Sequence, residues 1–566
     1  MNSTCPAGMK FLSAGALDAL ILQQSRPTVF LISALAPARD GRRGPLTGDS
    51  DPPMKDQDIV GKALASVLPQ YNRPWFRVPH LLQLNLILMI PLLSSAVAGY
   101  DGSLMNGLQS IAQWKQYFGN PTGSVLGIVN AAQSIGSVVS LPVVGILSDY
   151  MGRRLTLLSG AIVIVMASIV QAASVQYGMF VFSRVLVGVG SMLVVQPSPM
   201  LITELAYPTH RGKYTSAFWT MYYLGAILAS WASYGTQKHL NSSDWSWRVP
   251  SIIQAGLPIV QILLWWLVPE SPRWLVAKGR IQEAEELLAR FHTAGDTSHP
   301  LIQFEMSEIV STIEMESQAA ETKWSTLVKT PGNRKRTFIA VCVGAFAQWN
   351  GVAVVSYYLT LVLDTVGIKD PDTQTLINGL LQIFNFIAAG SAALLVDRLG
   401  RRTLFLWSAA GMLASFVIWT ACSAVFDSTH ANGLGKTVIV FVFIFYFHYD
   451  IAYTPLLLGY PTEIFPYSIR SKGLTVELLS VYSSLIVLAF VNPIALDKIG
   501  WHYYIFFCCF DVLVLAVTWF AFPETKGYSL EEIAQVFDGP TPATSGVMFD
   551  KGQEMEGEGE HVEHVG

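Results

Sequence analysis

The chain has 566 residues, 51% of them hydrophobic and only 13% charged, with a formal net charge of −4 and a mean hydropathy of +0.41. Soluble domains carry about 25% charged residues, so this balance excludes a soluble globular protein. No basic stripe with interleaved aromatics points to a nucleic-acid partner, and none is expected.

Apolar runs of about 20 residues, the length that crosses a bilayer, recur along the chain and predict an all-α, multi-pass membrane protein. Residues 1–80 differ from the rest and read as a disordered N-terminal segment or a translated upstream stretch. Phe11–Ala36 is apolar but is interrupted by Asp18, Arg26 and Pro27, without the basic region and cleavage site of a signal peptide. Met54 opens a polar stretch leading into the first span and reads as an alternative start.

The first span is expected at 81–101, with others at 122–147, 155–175, 178–203, 213–236 and 250–268. A second set follows at 337–364, 374–396, 403–425, 436–462, 474–496 and 501–521. The organisation is thus a six-helix bundle over 81–268, a linker over 269–335, a second six-helix bundle over 336–521 and a tail over 522–566. Within the linker, Ile281, Ala284, Leu287, Leu288 and Phe291 mark one face of an amphipathic helix, and Ile302, Met306, Ile309 and Ile313 mark another. The tail from Asp538 is rich in Gly, Glu and His, a composition that suits disorder. Cys5, Cys342, Cys422, Cys508 and Cys509 lack metal-ligand spacing, and no metal or cofactor is expected.

Basic clusters at Arg153/Arg154, Arg211/Lys213, Arg398/Arg401/Arg402 and Arg470/Lys472 fall in loops on one side of the bilayer. The positive-inside rule makes that side cytoplasmic and puts both termini there. The sequon at Asn241 then lies outside, either glycosylated or unused.

Several motifs occur twice, in one order and at a nearly constant interval. GILSDYMGRR at 145–154 is answered by LVDRLGRR at 395–402, the pair Glu204/Arg211 by Glu463/Arg470, and Pro269-Glu270-Ser271 by Pro523-Glu524-Thr525. The chain is therefore built from two homologous halves, and in such proteins the site lies between them near the midplane.

With SRVLVGVG at 183–190 and PESPRWL at 269–275, these motifs resemble the sugar-porter family of the major facilitator superfamily over residues 80–535. SYYL at 356–359, IAYTPL at 451–456 and VNPIAL at 491–496 are similar to its fungal lactose-permease-type and hexose-transporter branch. The resemblance implies twelve membrane helices in two halves, alternating access, and a sugar carried across the plasma membrane.

It also implies a cytoplasmic charge network that closes the inner face in the outward-open state. The residues are Asp149, Arg153, Arg154, Glu204, Arg211, Glu270 and Arg273, with Asp397, Arg401, Arg402, Glu463, Arg470 and Glu524 in the second half. Asp149 with Arg153 or Arg154, and Asp397 with Arg401 or Arg402, can pair with acids at helix ends in the same half, for which Glu204, Glu270, Glu463 and Glu524 are available. Tyr150 stands where the family pattern has arginine, which leaves the first latch one partner short.

For proton coupling the resemblance points to Asp101, at the end of the first expected span, paired with Arg184 in the fourth. An ionisable residue inside a span is costly and marks function by default; the bland reading is a solvated residue at the outer interface. Asp450, two residues after His448, is a candidate for a second proton or a sugar contact, or else a rim residue, and Glu477 reads as polar packing. Sugar contacts are assigned by resemblance to Gln348, Tyr357, Tyr358 and Asn385, with Asn350 beside them. Ala347, Trp219 and Leu458 stand where amide or tryptophan side chains are usual, and Tyr482 holds an aromatic position. This less amide-rich pocket points away from plain glucose, toward another monosaccharide, a disaccharide or a polyol, with Trp219 stacking on the ring or filling space.

Proton-coupled sugar import is the leading expectation, beside a passive uniporter and a non-transporting sensor; the short segment after PETKG argues against the sensor. No nucleophile–base set, P-loop or metal cluster supports an enzyme.

Overall fold

The computed structural model describes residues 62–69, 71, 73–320, 323–526 and 530–538. The expectations on Met54, on the N-terminal segment up to residue 61 and on the tail beyond Asp538 fall outside these residues.

The first half holds α1 (Pro79–Ser110), α2 (Gly123–Met151), α3 (Arg153–Ala172), α4 (Tyr177–Leu205), α5 (Arg211–His239) and α6 (Trp245–Leu267). Linker helices follow, among them α7 (Pro272–Ala277), α8 (Ile281–His292) and α9 (Pro300–Ala320). In the second half the seventh span is broken into α10 (Pro331–Trp349) and α11 (Val352–Thr365). It continues with α12 (Pro371–Leu399), α13 (Arg401–Thr429), α14 (Asn432–Leu456), α15 (Tyr467–Ile499) and α16 (Tyr503–Ala521).

Ten stretches among the described residues are long and apolar enough to cross a membrane. The last of them, Ser468–Ala521, contains both α15 and α16. α5 falls short of that apolarity because Tyr, Trp and Ser recur along it, yet it is as long as its neighbours and packs among them, which completes twelve spans.

The first span differs from its expected end at Asp101: α1 runs on to Ser110. The polar residues after Asp101 end no helix because they face the other half of the protein rather than water. In the linker, Ala284, Leu288, Phe291, Ile302 and Met306 are buried as the periodicity requires. Ile281 is 51% exposed, since it opens the first turn of α8 before that helix meets its partners.

Helix packing depends on small residues at crossings. A Cβ placed on Gly99 of α1 or Gly225 of α5 would lie 1.7 Å from a carbonyl oxygen of the facing helix, so the two backbones touch there. The halves meet along α2 with α15, α5 with α12 and α1 with α11.

Candidate functional site

A cavity of about 200 Å³ lies between the halves. α5 contributes Trp219, Tyr222 and Tyr223, the broken seventh span Gln348 and Tyr357, α12 Gln382, and α14 Tyr446, Tyr449 and Tyr453. The wall is thus mostly aromatic, with two amides placed among the rings. Gln382 donates to Asn378 Oδ1 at 3.3 Å, and Asn378 donates to Ser230 Oγ of α5 at 3.0 Å, which ties this wall to the other half.

Of the expected sugar contacts, Trp219, Gln348 and Tyr357 line the cavity and four others stand apart from it. Asn350 accepts the Val352 amide at 3.0 Å and so starts α11 after the break, where Gly351 takes φ +98°. The Tyr358 hydroxyl donates to the Ala489 carbonyl of α15 at 2.5 Å. Tyr482 reaches Met192 Sδ at 3.1 Å, across the interface between halves. Asn385 is fully buried beside Gln382 on the same helix, and neither of its amide atoms has a partner among the described residues. The sequence reading passed over Tyr222, Tyr223, Tyr446, Tyr449 and Tyr453 because a lone tyrosine in a span is usually packing or an interface anchor. The spacing of Tyr446, Tyr449 and Tyr453 by three and four was the available signal, since it puts them on one helix face.

Beside the cavity, Asp101 and Arg184 form an ion pair in which both side chains are 1% exposed. Two amides complete it. Gln133 donates to Asp101 and accepts from Arg184 Nη2, the latter at 2.8 Å, while Gln254 donates to Asp101 Oδ1 at 3.0 Å. A carboxylate taken out of water needs such partners, because its desolvation otherwise costs several kcal/mol, on the order of the attraction itself. The adjacent Gly102 lines the cavity, and a Cβ there would lie 2.2 Å from the Tyr222 hydroxyl. Tyr222 and Tyr357, both on the cavity wall, are within electrostatic reach of Asp101. The ion pair and the cavity therefore share a wall. Gln133 and Gln254 were not singled out from sequence; as amides within apolar spans they carried the signal that mattered for Gln348.

Asp450 is fully buried and faces the other half. It accepts from the Tyr223 hydroxyl of α5 at 2.5 Å and from Thr454 at 2.8 Å. His448 turns away from it, to the Ile444 carbonyl at 2.8 Å and against Gly411 of α13.

At the end of the molecule away from the charged loops, α1 and α11 seal the interface. Asn106 donates to the Val355 and Ser356 carbonyls at 3.1 and 2.5 Å and accepts from the Leu359 amide at 3.2 Å. Gln109 donates to the Tyr357 carbonyl at 2.9 Å, and Ser110 bonds Thr360 at 3.0 Å.

The charged loops form two copies of one device. Gly152 and Gly400, at φ +93° and +88°, turn the chain into α3 and α13. A Cβ at these positions would lie 2.2 Å from Glu270 and 2.7 Å from Glu524. Those two acids do not pair with arginine heads as their main contact; they take the amides that open each helix. Glu270 accepts from Arg153 N at 2.9 Å and Arg154 N at 3.2 Å, and Glu524 from Arg401 N at 2.8 Å and Arg402 N at 3.1 Å. Arg153 instead lies 3.8 Å from Glu204 and Arg401 3.1 Å from Glu463. Ser271 donates to Glu204, as Thr525 does to Glu463. Arg154 covers Trp265 at 4.2 Å, and Arg402 covers Trp519 at 5.6 Å.

The remaining members are less alike. Asp149 is 77% exposed and bonds Arg153 at 3.3 Å, with Tyr150 exposed beside it. The side chain of Asp397 lies outside the described residues. Arg211 reaches Glu305 on the linker at 3.1 Å, Arg470 donates to the Phe465 carbonyl at 3.2 Å, and Arg273 is half-buried on α7. Asn241 is exposed in the turn between α5 and α6. Because Glu524 neutralises the positive end of α13, Glu524→Ala should cost about 1–2 kcal/mol of stability. The check is a lower Tm in detergent, with Glu524→Gln falling less; an unchanged Tm for Glu524→Ala would show that the cap contributes nothing.

Comparison with known proteins gives a consistent picture. A family profile described as "Sugar (and other) transporter" matches residues 87–537. A low-affinity glucose transporter of Saccharomyces cerevisiae is 29% identical over 425 residues, covering 74% of this chain and 73% of that protein. A low-affinity glucose transporter of Kluyveromyces lactis is 27% identical, covering 78% and 80%. The inward-open xylose transporter XylE of E. coli superposes with a TM-score of 0.67 at 23% identity, over 80% of this chain and 100% of that one. The same protein, described as a proton:xylose symporter bound to 6-bromo-6-deoxy-D-glucose, superposes with a TM-score of 0.65 at 23% identity, over 80% and 99%. At that identity the likeness is one of fold.

Proposed function

The chain belongs to the sugar transporter family of the major facilitator superfamily, and from that premise we propose that it imports a monosaccharide or small polyol together with protons. The observation that carries this reading is the buried Asp101–Arg184 pair sharing a wall with the cavity between the halves. A proton on Asp101 releases Arg184, and a sugar against Tyr357 and Tyr222 occupies the same wall, so one event biases the other. A ligand shifts a two-state protein only by its difference in affinity for the two states. A shared wall supplies such a difference to both the proton and the sugar.

A volume of about 200 Å³ suits one ring, being below the roughly 300–1,000 Å³ usual for drug-sized ligands. Aromatic faces hold the C–H side of a pyranose or cyclitol, and Gln348 and Gln382 take its hydroxyls. The charged-loop face is the cytoplasmic one in this reading, with both termini on that side and the protein in the plasma membrane. The named relatives support sugar as the substrate class, and XylE supports proton coupling as a mode this fold accommodates.

Uptake of labelled glucose, xylose, galactose, myo-inositol and lactose in a transporter-deficient cell tests the proposal, with and without a protonophore. Accumulation of a single-ring compound that collapses with the protonophore is expected, with Gln348→Ala lowering uptake at least tenfold. Uptake indifferent to the protonophore would leave a passive uniporter, and preference for lactose would overturn the size argument.

A further inference from the structure

The twin charged loops differ in what their second arginine holds. Arg402 donates from Nη2 to the Trp519 carbonyl at 2.7 Å. Arg154, its counterpart in the first half, covers Trp265 but gives no guanidinium nitrogen to an acceptor among the described residues, and its Nε is buried. Glu270, the acid beside it, is already taken by the backbone amides of Arg153, Arg154 and Ser271.

What Arg154 faces instead is a second cavity, of about 300 Å³, where α1, α3, α6 and the linker helix α8 meet. Gln83 and Ile87 of α1 form one wall, Leu267 of α6 another, and Leu287 and Arg290 of α8 the third. Arg290 forms no hydrogen bond or ion pair among the described residues; its guanidinium lies over the ring of Phe291 at 5.2 Å. Glu286, one turn earlier on α8, makes no ion pair with it, and Glu283 is bound to Arg280. Two guanidiniums thus border one cavity, and no carboxylate among the described residues lines it.

The place of the cavity narrows the anion that fits. Arg154 is the second residue of α3 and Leu267 the last of α6, so the cavity lies at the membrane boundary on the charged-loop face. The surface beside it is apolar. Leu263 and Trp266 of α6 are each 65% exposed, and tryptophan is enriched at the level of the lipid headgroups. A soluble anion has no use for such a rim, whereas a lipid phosphate carries acyl chains that cover it. Guanidinium forks match phosphate oxygens, and basic pockets between membrane helices on the cytoplasmic side take anionic headgroups.

We propose that this cavity binds the headgroup of an anionic phospholipid of the inner leaflet, with Arg154 and Arg290 on its phosphate and Gln83 on its glycerol ester. The choice of leaflet rests on the reading above, in which the charged-loop face is cytoplasmic. Arg154 belongs to the first bundle and Arg290 to the linker, so one bound lipid ties α8 to α3.

Native mass spectrometry of the full chain in detergent, with dioleoyl phosphatidylserine and dioleoyl phosphatidylcholine added in equal amounts, counts what is bound. Wild type should hold one phosphatidylserine at least tenfold more tightly than phosphatidylcholine. Arg290→Gln, at an exposed linker position, should weaken phosphatidylserine about fivefold, and the double variant with Arg154→Gln about 30-fold, the contribution of one and two cations at a membrane surface. Arg402→Gln removes the same charge from the twin loop and should leave binding within about twofold. Equal binding of the two lipids in wild type overturns the proposal, as does unchanged affinity in Arg290→Gln or an equal loss in Arg402→Gln. Inorganic phosphate in excess should not release the lipid; release would make this a site for a free anion and overturn the lipid. The Arg290 variant decides the matter even where Arg154→Gln does not fold. Sugar and protons play no part in this measurement, so its failure leaves the proton-coupled reading standing.

Discussion

Asp101→Asn should abolish accumulation of sugar while sparing its exchange at equilibrium. One proton entering across 100 mV supplies about 2.3 kcal/mol, enough to hold a sugar at about a 50-fold gradient. Without a titratable group beside Arg184 that energy has no route to the sugar, and the ratio of inside to outside falls to one. Asparagine keeps an oxygen for Arg184 and for Gln254, so the fold survives. Asp101→Ala removes the acceptor that Asn keeps as well as the charge, leaves Arg184, 1% exposed, with nothing in place of the carboxylate, and should cost about 3–5 kcal/mol of stability and most of the membrane yield. The check is uptake against time with and without a protonophore, beside counterflow exchange. Continued protonophore-sensitive accumulation in Asp101→Asn would remove Asp101 from the coupling mechanism.

Asn106→Ala should open the face away from the charged loops. α11 is kinked at Tyr358, whose φ and ψ are −138° and 27°, so the Leu359 amide and the Val355 carbonyl cannot bond each other as they would in a helix. The amide of Asn106 fits into that gap, accepting from Leu359 and donating to Val355 and Ser356. The seventh span can therefore stay bent only while α1 supplies the missing bonds, which makes this contact conditional on the closed arrangement. Three bonds at about 1 kcal/mol each give about 3 kcal/mol, a shift of about 100-fold between two states. Labelling rates of single cysteines placed at either mouth of the cavity measure it, with Asn106→Ala raising accessibility at this mouth and lowering it at the other. Rates within twofold of wild type would show that closure is set elsewhere.

The duplicated charged motifs were legible because their function is local. A glycine turn, an acid that caps the following helix and an arginine beside it must sit at fixed spacing, so Gly152, Arg153 and Glu270 repeat as Gly400, Arg401 and Glu524. What each acid does was not legible. Glu270 and Glu204 looked equivalent as partners for arginine, and only the structure gives the backbone amides to one and the guanidinium to the other. The seal at Asn106 was missed for a related reason. Asn106, Gln109 and Ser110 follow Asp101 as a run of polar residues that reads as the end of a span, although their spacing by three and four lines one helix face.

Composition and repeated motifs by themselves determined that the chain is a membrane protein of two six-helix halves, and the resemblance of those motifs to the sugar-porter family pointed to a sugar transporter. A deficit of charge has no other home, and short motifs bind within their own stretch of chain. The tertiary structure alone decided which tyrosines face the cavity and that Tyr223 reaches across to Asp450. In a bilayer both the lipid-facing and the protein-facing sides of a helix are apolar, so hydrophobic period does not tell them apart. Which face meets which is settled only when the helices pack, by contacts between residues hundreds of positions apart such as Asn106 and Leu359.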